Sequence, residues 1–235
     1  MALDATEEEQ IESIRNFVRQ YGPTVLIAIV LSLGGTYGYR SWETSQRVER
    51  ELASTAYQDL VSAIIALPAT EVATSQAIGT MAETIKTTHP KSTYAVFASL
   101  QMARLSVEEG DYSAAEQEFL WALENADPSL EPLIRIRLAR VLKADGRNEQ
   151  ALGVLDKKIE LHAYSSAWHE ARGDILLTLQ ETDQAREAYQ IAVNTSGEPT
   201  APSLIMKLED LTYAEVILDA LPETDQANGA EEITE

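Results

Sequence analysis

Imidazole is the side chain that most often ligates a metal or moves a proton near neutral pH, and this chain has three: His89, His162 and His169. None forms an HExxH pair, and with no cysteine anywhere there is no thiolate to complete a zinc site. Glu160 and Glu170 accompany His162 and His169, but a helix start capped by Ser165 or Ser166 is expected between them, so they read as surface residues. The acid runs Glu7-Glu8-Glu9 and Glu108-Glu109 lack the apolar surroundings that lift a carboxyl into general-acid range. A GxSxG elbow, a GxxxxGK[ST] loop and a GxGxxG turn after a strand are all missing, and Gly34-Gly35 lies in an apolar run. The cysteine count also removes a thiol nucleophile, a disulfide framework and a lipid-modified amino-terminal cysteine. The expectation is a non-enzyme with no cofactor and no metal.

With reaction chemistry set aside, recognition remains. The 235 residues suffice for one anchored folded body. Acids outnumber bases 38 to 18, a formal charge of −20, and that field repels phosphate backbones, so nucleic acid is not an expected partner.

Between Tyr21 and Tyr39 the only ionisable groups are tyrosine rings; a helix of that length reaches about 28 Å, close to a hydrocarbon core of about 30 Å. Val25, Leu26, Ile27, Ile29, Val30, Leu31 and Leu33 each favour insertion by about 0.3 to 0.6 kcal/mol. Arg15, Arg19 and Arg40 flank the run, and Tyr21, Tyr37, Tyr39 and Trp42 sit at interfacial depth. A cleaved signal peptide is the rival reading, but the run exceeds the usual apolar region of one and Arg-Ser-Trp-Glu-Thr offers no small-x-small cleavage pattern. Bases lie on both sides, so charge does not set the orientation. In the leader, Ile11, Ile14, Phe17 and Val18 fall at helical spacing and predict a short amphipathic extension. Gly34 with Gly38, and Ala28 with Ser32, make small-xxx-small pairs that would let another membrane helix approach.

Beyond the anchor, helical periodicity alternates with short Gly, Asp, Asn or Pro breaks and nothing reads as strand. Four columns share one register: Ala103, Ala139, Gly173; Gly110, Gly146, Gln180; Ala115, Ala151, Ala185; Phe119, Leu155, Tyr189. Spacings of 36 and then 34 fit a helical hairpin in which a small residue admits the second helix, a glycine makes the turn and a large residue fills the gap. The pattern resembles the tetratricopeptide repeat. Gln180 in place of the turn glycine predicts a longer or looser third turn. Helices around Ser45–Ala66 and Glu71–Thr88 would make a degenerate hairpin upstream; Ser203–Leu211 and Tyr213–Leu221 read as two helices covering the open end. Residues 222–235 carry five acids and no base and read as a disordered tail.

By analogy with other tetratricopeptide domains, the register turns Phe97, Leu100, Arg104 and Val107, then Leu133, Ile136, Arg140 and Lys143, then Glu170, Asp174 and Leu177 toward a groove. Arg104, Arg135, Arg137, Arg140 and Lys143 would there meet a partner's carboxylates while Phe97, Leu100 and Ile136 meet its apolar groups. The other reading has Pro132–Asp145 bury Leu133, Ile136, Leu138 and Val141 while its arginines neutralise neighbouring acids. Both stand at this point.

Further stretches narrow the resemblance: Gln10–Phe17 before the anchor, Gly38-Tyr39-Arg40-Ser41-Trp42 after it, Ala56-Tyr57-Gln58, Thr93-Tyr94 with Ala98-Ser99-Leu100, Arg137–Val141, Gly173–Leu176 and Met206–Leu211. In order and placement they are similar to the YfgM-like ancillary subunits of the SecYEG translocon, single-pass inner-membrane proteins with a periplasmic tetratricopeptide-like domain. The resemblance implies an all-α chain with a cytoplasmic leader over 1–20, a transmembrane helix over 21–39, a periplasmic solenoid over 40–221 and an acidic tail over 222–235. It implies as partners the SecYEG translocon and periplasmic chaperones or exported clients, and it orients the amino end to the cytoplasm. A general membrane-anchored scaffold, for instance in envelope or pilus assembly, is the alternative.

Overall fold

The computed structural model describes residues 2–66 and 72–220, and every regular element among them is helical. In chain order these are α1 (Ala2–Ala66), α2 (Val72–Thr88), α3 (Thr93–Glu108), α4 (Tyr112–Asn125), α5 (Glu131–Ala144), α6 (Asn148–Leu155), α7 (Ser165–Thr178), α8 (Thr182–Asn194) and α9 (Pro202–Ala220). The chain falls into two compact units, Met1–Thr55 and Ala56–Glu235.

The first unit is helical over its described residues, and Ile14, Phe17, Leu26, Ile27, Val30, Leu31, Leu33 and Trp42 are all exposed on it. Among the described residues no single helix is long and apolar enough to cross a membrane; Ile14–Pro23 and Leu26–Ala66, bent by 44° at the break, pass that test only as a pair. Pro23 lies inside the helix; it has no N–H to donate and its ring crowds the carbonyl four residues back, the usual cause of a kink. After the bend the uncharged run from Leu26 to Tyr39 reaches only about 21 Å.

In the second unit the repeat register becomes packing. Helices α3 with α4, α5 with α6 and α7 with α8 form hairpins, and α4 on α5, α6 on α7 and α5 on α7 stack them. Ala103, Ala139, Ala115, Ala151 and Ala185 are fully buried, with Phe119, Leu155 and Tyr189 packed in the gaps they leave. At Gly173 even a methyl has no place: a Cβ there would lie 2.5 Å from Tyr189 Cε1.

The three hairpin turns are the same turn. Gly110 and Asp111 donate to the carbonyls of Val107 and Ser106, Gly146 and Arg147 to Lys143 and Leu142, and Gln180 and Glu181 to Leu177 and Leu176. This is the Schellman pattern, whose C′ residue is left-handed. Gly110 and Gly146 both have φ 79°, and Gln180 reaches φ 65°. The third turn is therefore neither longer nor looser; Gln180 accepts a conformation that costs a Cβ-bearing residue about 1 kcal/mol, because the packed hairpin leaves it no other.

Upstream, the end of α1 packs with α2 and α3 around Leu60, Ile78, Ala82, Ile85, Ala95 and Ala98. Downstream, α9 is one helix where two were expected, since nothing in Leu211-Thr212-Tyr213 breaks it. Its Leu204 and Leu211 cover Leu176, Ala188, Tyr189 and Ala192. The acidic tail, residues 222–235, lies outside the described residues.

Candidate protein-interaction face

The stripe on α5 begins with what the helix hides. Pro132, Ile134, Ile136, Leu138, Ala139, Val141 and Leu142 are buried, leaving Arg137 and Arg140 exposed and Leu133, Arg135 and Lys143 half-buried. Arg135 pairs with Glu131, which also takes Lys157; the hydrogen bonds from Lys157 and Arg135 hold the Glu131 carboxyl below its ordinary range. Arg137, Arg140 and Lys143 meet no carboxylate among the described residues.

Two residues expected in the groove are not there. Leu100 is 7% and Ile136 2% exposed, both inside the main apolar cluster with Phe119, Ile134 and Leu138. On a helix packed on several sides, positions one step off the free stripe turn into the core. Phe97 is half-buried, its ring 6.0 Å from Tyr57 and 6.3 Å from Tyr94. Arg104 is exposed and lies 3.0 Å from Glu108 on its own helix, a pair worth little in water. Of the two readings of Pro132–Asp145, the core half holds for Ile136, Leu138 and Val141; Arg137 and Arg140 do not neutralise neighbouring acids.

In the third copy, Glu170 and Asp174 are occupied from within. Lys207 of α9 donates to Glu170 Oε1 at 2.8 Å and Asp174 Oδ1 at 2.7 Å, and Tyr189 Oη donates to Asp174 at 2.8 Å. Burial pulls the Lys207 ammonium down, but the hydrogen bonds to Asp174 and Glu170 outweigh it and its pKa stands above 10.5. Burial first, then the bond to Asp174, pushes the Tyr189 phenol well above its usual 10. Sequence reasoning missed Lys207, although it falls 34 residues after Gly173, one more period of the same register. It also missed Lys86 of α2, 7% exposed, which lies 2.6 Å from Glu83 and 3.0 Å from Glu118 while Ser99 donates to the same Glu118 carboxylate.

His162 is exposed, 3.4 Å from Glu160. Half-buried His169 has an Nδ1 without a hydrogen-bond partner, and burial, then the Arg172 charge, lowers its pKa below 6.5. Neither Ser165 nor Ser166 caps α7: the 3-10 turn His162–Tyr164 runs straight into the helix, with the Ser165 N–H already given to the His162 carbonyl. Among the described residues no group of three acids or histidines could hold a metal ion. In the first unit, a Cβ at Gly34 or Gly38 would meet nothing within 4 Å among the described residues.

Known proteins match this architecture over most of its length. Proteins named ancillary SecYEG translocon subunit are 27% identical over 212 residues in Haemophilus influenzae and 26% over 219 in Escherichia coli, and 23% over 214 in Neisseria gonorrhoeae, each covering 90% of this chain and 100% of the relative. The structure of Pseudomonas aeruginosa pilF matches with a TM-score of 0.56 at 19% identity, over 72% of this chain and 71% of that one, a likeness of fold alone. The resemblance drawn from the sequence to ancillary translocon subunits is thereby borne out at the level of relatives. With its profile matching residues 15–213, the tetratricopeptide repeat-like domain family is the one to which this chain belongs.

Proposed function

We propose that this chain is a non-enzymatic subunit of the bacterial inner membrane that associates with the SecYEG translocon and passes exported clients to periplasmic chaperones. The observation that carries the reading is full-length similarity to the ancillary translocon subunits: 100% of each relative is covered. In the proposed arrangement the leader 1–20 is cytoplasmic, the helix around 21–39 crosses the membrane and the repeat domain 40–221 is periplasmic. Exposed apolar side chains on all sides of that helix support the crossing, because in water such a surface is unfavourable and in lipid it is not. Aromatic pairs stand at both ends of the run, Phe17–Tyr21 at 5.0 Å and Tyr39–Trp42 at 6.1 Å, where rings favour the interface. The bend at Pro23 lets the amphipathic leader incline toward that interface.

Two surfaces take the partners. Gly34 and Gly38 offer a membrane helix a close approach. Phe97, Arg104, Leu133, Arg140 and Lys143 offer a client or chaperone a rim of apolar and cationic groups. Photo-crosslinkers placed at Gly34, Gly38, Arg104 and Arg140 in native membranes test the assignment: translocon subunits are expected from the first two and periplasmic proteins from the last two. Recovery of an unrelated envelope assembly would overturn it.

A further inference from the structure

The residues of α3 and α5 that stay out of the core repeat in a fixed order. Tyr94, Phe97, Gln101 and Arg104 form a stripe along α3; Leu130, Leu133, Arg137 and Arg140, each 36 residues later, form its copy leading into and along α5. None of these is buried, whereas their neighbours Leu100 and Ile136 are. In both copies the apolar pair lies at the amino end and the arginine toward the carboxyl end. Tyr57 of α1 enlarges the apolar end: its ring stands 5.8 Å from Tyr94 and 6.0 Å from Phe97, which are 6.3 Å from each other. Gln101 Nε2 donates to Tyr57 Oη at 3.3 Å and holds that ring in place. Three half-buried rings in mutual contact make a wall for an apolar or aromatic side chain.

The other end is cationic and unrelieved. Bases are scarce, 18 against 38 acids, and several in the second unit are held: Arg135 and Lys157 share Glu131, and Arg147 meets Glu116. Arg104 has only its exposed pair with Glu108. Arg137, Arg140 and Lys143 meet no carboxylate among the described residues, and they stand on neighbouring turns where like charges repel. At the same level of the third copy, 34 residues after Arg140, Asp174 would turn an acidic partner away. Lys207 removes that obstacle, lying 2.7 Å from Asp174 and 2.8 Å from Glu170. The formal charge of −20 still opposes any acidic ligand at long range, so carboxylates alone are a poor fit and the ring wall has to contribute.

We infer, on the reading that this face takes a client or chaperone, that it binds an extended acidic segment of the partner protein. An apolar or aromatic anchor of the segment rests against Tyr57, Tyr94 and Phe97, and its carboxylates meet Arg137, Arg140 and Lys143. The spacing follows from the helix. From the level of Phe97 to that of Arg104 is about 10 Å, and an extended chain advances about 3.3 Å per residue. The carboxylates therefore belong about three residues from the anchor, and recognition depends on that separation as well as on charge.

The test is fluorescence anisotropy on the full-length chain in an uncharged mild detergent. The probes are labelled Gly/Ser peptides with one tryptophan and, about three residues from it, a pair of glutamates, made in both chain orders. At least one order should bind, and more tightly than the same peptide with lysines for glutamates or with the glutamates moved to its far end. In R137E/R140E the affinity should drop about fivefold or more, the loss of two exposed ion pairs. Should that variant lose its helical circular dichroism, Arg140→Gln gives the same comparison with a smaller drop. Failure of both orders to bind, equal binding of either control peptide, or unchanged affinity in the folded variants would overturn the inference. Displacement of the peptide by mixed micelles containing phosphatidylglycerol would overturn it too, by assigning the stripe to a lipid surface. If the peptides fail while probes at Arg104 and Arg140 still crosslink periplasmic proteins, only the ligand chemistry is wrong; if those crosslinks fail as well, the parent reading falls with it.

Discussion

Gly173 and Tyr189 show how one pair of side chains encodes a hairpin. The ring of Tyr189 occupies the space where a Cβ at 173 would stand, 2.5 and 2.6 Å from two ring atoms, and both residues are buried. Gly173→Ala should therefore lower stability by about 1–3 kcal/mol through overpacking, read as a fall in the urea midpoint. The second copy solves the same problem with Ala139 against Leu155, so adding Tyr189→Leu should recover part of the loss, a coupling that a double-mutant cycle measures. At the third turn, Gln180→Gly should raise stability by about 0.5–1 kcal/mol, because the left-handed φ of 65° strains a side chain more than glycine's freer unfolded chain costs. The small and large columns were legible in the sequence because each buries against its counterpart. The conformation of Gln180 was not: two backbone hydrogen bonds set by the packed hairpin, Gln180 to Leu177 and Glu181 to Leu176, dictate it, and those are invisible in a residue's type.

At the scale of elements, α9 is joined to α7 and α8 by Lys207, Glu170, Asp174 and Tyr189. Lys207→Met leaves two acids facing each other, so amide exchange in α9 should accelerate with little change in α3 and α4. The joint is also sensitive to base. The folded pKa of Lys207 is above the unfolded 10.5, so its contribution is complete below pH 10.5 and is lost as pH rises through the folded value. Tyr189 acts in the same direction, since the fold keeps its phenol neutral while an unfolded tyrosine ionises near pH 10. The urea midpoint should hold from about pH 7 to 9 and decline above 10, and the decline should be shallower in a Lys207→Met/Tyr189→Phe variant. Helix periodicity located the exposed stripe at Arg104, Arg137 and Arg140, yet placed Leu100 and Ile136 on it. A three-residue step along a helix turns by about 60° from the original direction, enough to carry a residue from rim to core when neighbours pack on both sides. Which neighbours do so is tertiary information.

At the scale of the whole molecule, the two units call for different surroundings. The second has its own buried clusters, and residues 56–235 alone should stay soluble and helical by circular dichroism, while the full chain should need detergent. Pro23→Ala should straighten the first unit and leave the second unchanged, seen as altered spacing between spin labels at Ile14 and Leu33. The apolar run was plain in the sequence; the bend follows from Pro23, whose effect length and hydropathy alone do not register. The central claim, an anchored repeat protein that works beside the translocon, meets its most direct test in crosslinking from native membranes with probes at Gly34, Gly38, Arg104 and Arg140, followed by mass spectrometry. The account predicts translocon subunits from the two glycine positions and periplasmic chaperones or exported clients from the two arginine positions. A different envelope assembly recovered at all four positions would contradict it.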